Sequence, residues 1–227
     1  MRFSIDQFIV HFMVQFIVPN LKKRLAFMIP AVILMGVFVS ILIEIGWGTD
    51  PASFMNLNIA KAIGWNLGNT EVLVYGIMLV FTLIFGSDMI GFGTLANMIL
   101  IGYVVDLCRI LWNKTGFSNF ITQASFPVTL ILFILTLFLF VIVASIYINS
   151  QIGVAPYDAI PNIISRWLPK VPFFIIRILF DFAAVGAGVL AGKLSGGIEG
   201  SVIGSIAMSI LLGPVISLVG KPLKKIL

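Results

Sequence analysis

Long uncharged apolar runs follow one another along this chain, separated by short polar segments. A helix needs about 20 apolar residues to cross a bilayer, and six of these runs are long enough. They do not alternate apolar and polar residues as the strands of a membrane barrel do, so we expect α-helices. The predicted spans are residues 25–46, 70–87, 89–111, 126–148, 171–192 and 199–220.

The apolar pattern occurs twice. Residues 40–51 return as residues 145–156, 105 positions later, with matching Ser, Ile, Gly and Pro residues. A second pair of motifs, Gly93-Thr94 and Gly204-Ser205, links the same two halves. Each half holds three predicted spans, an odd number, so the second half must enter the membrane in the opposite orientation. We therefore expect a pseudo-two-fold axis in the membrane plane.

Each half also contains a Gly-x-x-Pro break, at residues 48–51 and 153–156, and a predicted short helix follows it. The short helices, residues 51–64 and 156–168, span about 20 Å at 1.5 Å per residue, too little for a full crossing. Two interpretations stay open. They are amphipathic connectors on opposite membrane surfaces, or they are re-entrant helices that form a binding site, as in many transporters.

These patterns predict an all-α membrane protein with six transmembrane helices, arranged as two inverted three-helix repeats. Each repeat carries one short helix after its break. The predicted organisation is an amphipathic interfacial helix over 1–23, a first repeat over 24–112, an outer linker loop over 113–125, a second repeat over 126–220 and a basic cytoplasmic tail over 221–227.

The N-terminal segment has a narrow polar stripe among Phe, Ile and Val residues. Ser4, Gln7, His11 and Gln15 recur every three or four residues, which is typical of a helix lying in the membrane interface. A seventh span is the alternative that stays open for this segment.

Composition agrees with a membrane protein, since 60% of the residues are hydrophobic and 10% are charged, against about 25% charged in soluble domains. The net charge of +5 comes from basic residues scattered at the span ends, which argues against a nucleic-acid partner. With the N-terminus inside, nine basic residues face the inner side and four face the outer side. We expect both termini in the cytoplasm.

The sequence lacks the residues and motifs that are typical of disulfides, zinc sites, nucleotide hydrolysis and serine hydrolases. One cysteine, Cys108, excludes an internal disulfide, and one histidine argues against a zinc site. Phosphate-loop, His-Glu-x-x-His and Gly-x-Ser-x-Gly motifs do not occur. We therefore expect no enzyme activity, no catalytic residues, no metal site and no cofactor.

Ionisable residues inside the spans are the candidate functional residues, because a charge facing lipid costs at least about 3 kcal/mol. Arg177 and Asp181 lie four positions apart on the fifth span and can pair. A substrate or proton site and a structural ion pair both stay open for them. The full candidate substrate-binding set is Glu44, Asp50, Asn149, Asp158, Arg177, Asp181, Thr94 and Asn97.

Three further expectations concern the span ends. We expect Glu199 to cap the start of the sixth span, and Asp106 to lie at a solvated helix end; a pair of Asp106 with Arg109 stays open as the alternative. We also expect Gly93-Thr94 to pack against Gly204-Ser205 across the axis.

At the breaks and the Gly-Thr motif, the chain resembles the YczE/YyaS/YitT group of bacterial integral membrane proteins. The similarity covers roughly residues 24–220. It is carried by Gly48-Thr49-Asp50-Pro51, Gly93-Thr94 with Ile101-Gly102 and Asp106, and Gly153-Val154-Ala155-Pro156-Tyr157-Asp158. The resemblance implies a multi-pass protein of the bacterial cytoplasmic (inner) membrane, and it implies no particular substrate.

The leading functional hypothesis is a secondary transporter, or a solute-binding membrane subunit, for a small molecule. Arg177 would hold an anionic group, and a carboxylate would carry a coupling proton or sodium ion. The expected partners are the lipid bilayer and the small-molecule solute; a homodimer and a partner membrane subunit both stay open. The alternative is a non-transporting scaffold or accessory protein that acts through a partner.

Overall fold

The computed structural model describes residues 16–223, and nine α-helices lie within that range. A single 3-10 turn, Ser87–Met89, joins the third helix to the fourth. The helices are α1 Leu21–Ile45, α2 Pro51–Ile63, α3 Leu67–Phe85, α4 Phe92–Thr115, α5 Phe117–Gln123, α6 Phe126–Asn149, α7 Pro156–Trp167, α8 Phe173–Leu194 and α9 Val202–Leu223.

Six of these helices, α1, α3, α4, α6, α8 and α9, are long and apolar enough to cross a membrane. The all-α class and the six apolar helices are thus confirmed, with ends shifted by a few residues. α1 begins at Leu21 rather than near residue 25, because the exposed Lys22 and Lys23 fit into its first turn. The stripe over residues 4–15 and the tail beyond residue 223 lie outside the described residues.

Two loops separate the long helices from the short ones. Loop A, residues 46–50, joins α1 to α2, and loop B, residues 150–155, joins α6 to α7. Gly48 and Gly153 have φ of +125° and +115°, in a region that glycine adopts without a steric penalty. Each short helix then begins at a proline.

The helix starts follow from local chemistry. Pro51 and Pro156 occupy the first helical position, where a missing N–H costs nothing. The Asp50 Oδ1 atom accepts a hydrogen bond from the Ser53 amide over 3.0 Å and caps α2. No side chain caps α7, whose cap residue is Ala155.

The main apolar core lies where α1 packs against α4 and α6. It holds fully buried side chains such as Val32, Val39 and Val105, together with Ala144. α9 packs against α6 and α8, and α3 packs against α4. Exposed Ile, Leu and Phe side chains cover the outside of the long helices, as is expected for a surface in contact with lipid.

The short helices are packed inside the bundle rather than laid on its surface. α2 packs on α8, where a Cβ at Gly188 would come within 2.8 Å of the Phe54 ring. α7 packs on α3, where a Cβ at Gly86 would come within 2.8 Å of Ile163. Eight of the 13 residues of α2 are buried.

The segment 113–125, expected as a polar loop, is largely helical. α4 extends to Thr115, Gly116 turns the chain with φ of +79°, and the seven residues of α5 follow. The rings of Trp112 and Phe117 lie 4.9 Å apart and hold α5 against α4. Local aromatic contacts therefore order a stretch whose composition resembles that of a loop.

Candidate functional site

A cavity of about 950 Å³ lies where α2 and α7 begin. Asp50 and Ser53 line it from the start of α2, and Gly153 and Asp158 line it from the start of α7. Every long helix adds at least one residue to the wall. The two loops that sequence similarity relates therefore contribute to one site.

Each loop is held by a helix from the other half of the chain. The Thr49 amide of loop A donates a hydrogen bond to the Ser205 hydroxyl of α9 over 3.2 Å. The Gly93 amide of α4 donates to the Ile152 carbonyl of loop B over 2.6 Å. The nearest neighbours of Gly204 belong to loop A. The Gly-Thr and Gly-Ser motifs thus pack against the loops, not against each other as expected.

From the cavity, α2 and α7 run to different ends of the bundle. Near the end of α2, the Lys61 ammonium donates to the Gly197 carbonyl in the α8–α9 connection over 2.8 Å. At the end of α7, Arg166 makes two hydrogen bonds of 2.8 and 2.6 Å to Asp88 in the α3–α4 connection. These bonds raise the pKa of the exposed Arg166 guanidinium above its ordinary value. Both helices present their positive N-terminal ends to the cavity.

Arg177 of α8 joins two carboxylates on one side of the cavity. Its Nε donates to Asp181 Oδ2 over 3.0 Å, and its Nη1 donates to Asp158 Oδ1 of α7. The Tyr157 hydroxyl donates to the other Asp181 oxygen over 2.8 Å. The expected pair of Arg177 with Asp181 is therefore present, but Asp158 makes it a group of three.

The other side of the cavity carries polar side chains without such partners. Asp50 Oδ2 is buried and has no hydrogen-bond partner in the described range. Tyr75 and Asn97, each 5% exposed, line the cavity, and their side-chain polar atoms make no hydrogen bond within residues 16–223. Glu71, 4% exposed, lies against α4, where a Cβ at Gly102 would come within 2.5 Å of its Oε2.

The structure separates the predicted site residues into two sets. Those that line the cavity are Asp50, Asn97, Asn149, Asp158, Arg177 and Asp181. Asn149 is already engaged, because its amide donates to the Ser145 and Gly220 carbonyls over 2.8 and 3.3 Å. Glu44 and Thr94 do not line the cavity.

Glu44 and Thr94 have other contacts. Arg109 donates to Glu44 over 3.3 Å and to Glu199 over 3.0 Å, so these three form a separate ionic group. The Thr94 hydroxyl accepts a hydrogen bond from the Gly91 amide over 3.0 Å and closes the start of α4. Neither side chain is placed to touch a solute in the cavity.

Two expectations about the span ends were wrong. Glu199 does not cap the sixth span with its side chain, since its carboxylate accepts from Arg109. Asp106 is not simply solvated, because its two oxygens accept hydrogen bonds from the Leu67 and Gly68 amides over 3.1 and 2.7 Å. Asp106 therefore caps α3 from the neighbouring helix, a role that depends on tertiary packing.

Glu71, Tyr75 and Tyr157 line the cavity but were not among the predicted site residues. One signal was available for Glu71, a lone carboxylate at the edge of an apolar run. Glu71 is the fifth residue of α3 and Arg177 is the fifth residue of α8. Tyr75 carried no signal, because aromatic residues are common in membrane helices, whereas Tyr157 stands in the motif that follows the second break.

A family model matches residues 22–221 of the chain, from the start of α1 nearly to the end of α9. The chain belongs to DUF6198. This is a family of unknown function, so membership in DUF6198 assigns no substrate. The match names no YczE, YyaS or YitT protein, and that resemblance stays a prediction. Comparisons of this DUF6198 chain with curated proteins and with solved structures gave no match.

Proposed function

We propose that this DUF6198 protein is a secondary transporter that binds a small molecule in the cavity between α2 and α7. One observation carries the proposal: a single cavity of about 950 Å³ is lined by the starts of both short helices and by buried ionisable residues. Such residues are costly within a membrane and mark solute or ion pathways. A purely structural bundle has no need for this polar space.

Helix packing supports two related halves. α1 packs on α4 as α6 packs on α9, and α3 packs on α4 as α8 packs on α9. α2 packs on α8 as α7 packs on α3. Each of these three pairs maps onto its counterpart when α1 to α4 are exchanged with α6 to α9. We infer two inverted three-helix repeats related by a pseudo-two-fold axis.

The short helices fit the re-entrant interpretation. Each begins at the cavity and ends beside a connection between long helices, and these are two different connections. In this arrangement α2 enters from one membrane face and α7 from the other, with both N-termini at mid-depth. Irregular backbone at this depth is tolerated where it lines a cavity, as loops A and B do.

Alternating access follows from this architecture. Movement of one repeat against the other would open the cavity first to one face and then to the other. We place both termini in the cytoplasm because basic residues are concentrated on that side, and we infer the bacterial cytoplasmic membrane from the resemblance. A proton or a sodium ion is the proposed coupling ion.

Cysteine labelling tests this proposal. In a Cys108→Ala background, Ser53→Cys places one thiol in the cavity wall. Ala187→Cys, on the exposed surface of α8 and outside the cavity, is the control. Impermeant thiol reagents are added to right-side-out and to inverted membrane vesicles.

A transporter predicts that Ser53→Cys is labelled in both vesicle orientations, while Ala187→Cys in contact with lipid is labelled in neither. A scaffold without alternating access predicts labelling of Ser53→Cys from one side or from neither side. That result would overturn the proposal.

A further inference from the structure

We infer that the cavity binds an organic cation whose ammonium group is held between the start of α2 and the first half of α3. The inference rests on the proposed function, since it names the class of solute for the same cavity. It comes from the unequal way in which the two sides of the cavity satisfy their charges.

The α8 side and the α3 side of the cavity use the same helix positions but carry different residue types there. Arg177 and Asp181 are the fifth and ninth residues of α8, and Glu71 and Tyr75 are the fifth and ninth residues of α3. On the α8 side the Arg177 guanidinium forms ion pairs with two carboxylates. On the α3 side the corresponding position is the carboxyl of Glu71, so no cation of the protein occupies it.

The missing cation leaves an acidic half-site. Asp50 and Glu71 both line this side of the cavity. Asp50 Oδ1 already caps α2, but Oδ2 is buried and unpartnered within the described range. A buried carboxylate without a positive partner is unstable and must take up a proton or meet a cation. A bound ammonium group supplies that charge.

Hydrogen-bonding groups beside these carboxyls favour a cation that donates N–H bonds. The Tyr75 hydroxyl and the Asn97 amide line the same cavity and make no hydrogen bond to residues 16–223. Their oxygens can accept from an ammonium group. The Tyr157 ring already lies beneath the Arg177 guanidinium, 5.3 Å from its Cζ atom. The Tyr75 ring, 6.4 Å from that of Tyr157, is the aromatic group that can attract an organic cation.

Competing ligand classes fit less well. The two helix N-termini favour an anion, but Arg177, one of two basic residues in the cavity wall, is already bound to Asp158 and Asp181. The other, Lys221, is an exposed residue near the end of α9. A multivalent metal ion lacks a ligand set, because residues 16–223 contain no group of three His, Cys, Asp or Glu side chains suited to one. Acidic groups therefore exceed basic ones in the cavity.

Protection of the Ser53→Cys thiol from labelling measures binding without knowledge of the natural solute. The probes are n-butylammonium chloride, sodium butyrate and n-butanol, which match in size and differ in charge, at constant ionic strength. We expect butylammonium to slow labelling at least about tenfold, while butyrate and butanol do not. Asp50→Asn and Glu71→Gln should each raise the half-protecting concentration about tenfold or more.

Glu199→Gln is the matched control, since this carboxylate pairs with Arg109 away from the cavity; it should leave protection unchanged. Labelling with no protection by butylammonium would overturn the cation inference and leave the transporter proposal intact. Equal protection by butyrate, or by sodium ion alone, would overturn it as well. A thiol that is labelled from neither side would instead refute the proposed function.

Discussion

The Thr49 amide donates a hydrogen bond to the Ser205 hydroxyl over 3.2 Å, across 156 positions of the chain. This bond anchors loop A to α9, just as the Gly93 amide anchors loop B from α4. Each short helix therefore takes its starting position from the opposite half of the chain. The cavity between them exists only when both halves are assembled.

The contact at Gly204 has no room for a side chain. A Cβ there would overlap the Trp47 carbonyl oxygen of loop A. Gly204→Ala should therefore destabilise the protein by about 1–3 kcal/mol, because the backbones must move apart. Thermal unfolding in lipid nanodiscs measures the change.

Gly186→Ala on α8 is the control for that substitution, because nothing lies within 4 Å of the added methyl group. It should be neutral or slightly stabilising, since alanine favours helix by up to about 1 kcal/mol. Equal stability of the two variants would contradict the close packing of loop A on α9.

Arg177→Met should destabilise the fold strongly, by about 3–5 kcal/mol, because it leaves two partly buried carboxylates unpaired. Adding Asp158→Asn and Asp181→Asn should restore much of the loss. Arg166→Met is the matched control; its pair with Asp88 is about half exposed and should contribute at most about 1 kcal/mol. Equilibrium unfolding in mixed micelles gives the comparison.

If Arg177→Met lowers the free energy of unfolding no more than Arg166→Met does, then the ionic group of Arg177, Asp158 and Asp181 does not stabilise the fold. Restoration of stability by Asp181→Asn alone would also contradict this interpretation, because Asp158 would still lack its positive partner and must be neutralised too.

Asp106 should stabilise the start of α3 through its two hydrogen bonds to the Leu67 and Gly68 amides. Asp106→Ala is expected to cost about 1–3 kcal/mol, and Asp106→Asn less, because one oxygen remains to accept. Hydrogen exchange at residues 67–70 should rise with the loss of the cap. Unchanged exchange in Asp106→Ala would show that α3 starts without it.

Two tyrosines of the cavity differ in one respect that can be tested. The Tyr157 hydroxyl bonds to Asp181 over 2.8 Å, so Tyr157→Phe should cost about 1–3 kcal/mol of stability. The Tyr75 hydroxyl has no partner in the described range, so Tyr75→Phe should leave stability unchanged but weaken protection by butylammonium. A loss of stability in Tyr75→Phe, or weaker protection by butylammonium in Tyr157→Phe alone, would contradict a ligand-binding role for Tyr75 and a stabilising role for Tyr157.

The six long helices could be predicted from the sequence because apolar length is a local property. The pair of Arg177 with Asp181 could be predicted too, since residues four apart on a helix share a face. Asp158 joins that pair from another helix, and Glu71 reaches the cavity through the packing of α3 on α4. Such contacts depend on tertiary structure, which helical periodicity does not encode.

The two remaining misplacements have the same origin. Glu44 matches Asn149 in the repeat, yet Arg109 draws Glu44 into a separate ionic group. The composition of residues 113–125 predicts a loop, but aromatic contacts of Phe117 stabilise the helix α5 within it. In both cases a contact with a neighbouring helix outweighed the local pattern.

In the proposed arrangement, α2 and α7 enter from opposite membrane faces and begin at a shared cavity. Single cysteines at Lys61, in the last turn of α2, and at Lys170, beyond the end of α7, test it most directly. In a Cys108→Ala background, we predict that an impermeant maleimide labels Lys61→Cys only from the outside and Lys170→Cys only from the cytoplasmic side. Labelling of both positions from the same face would contradict the account.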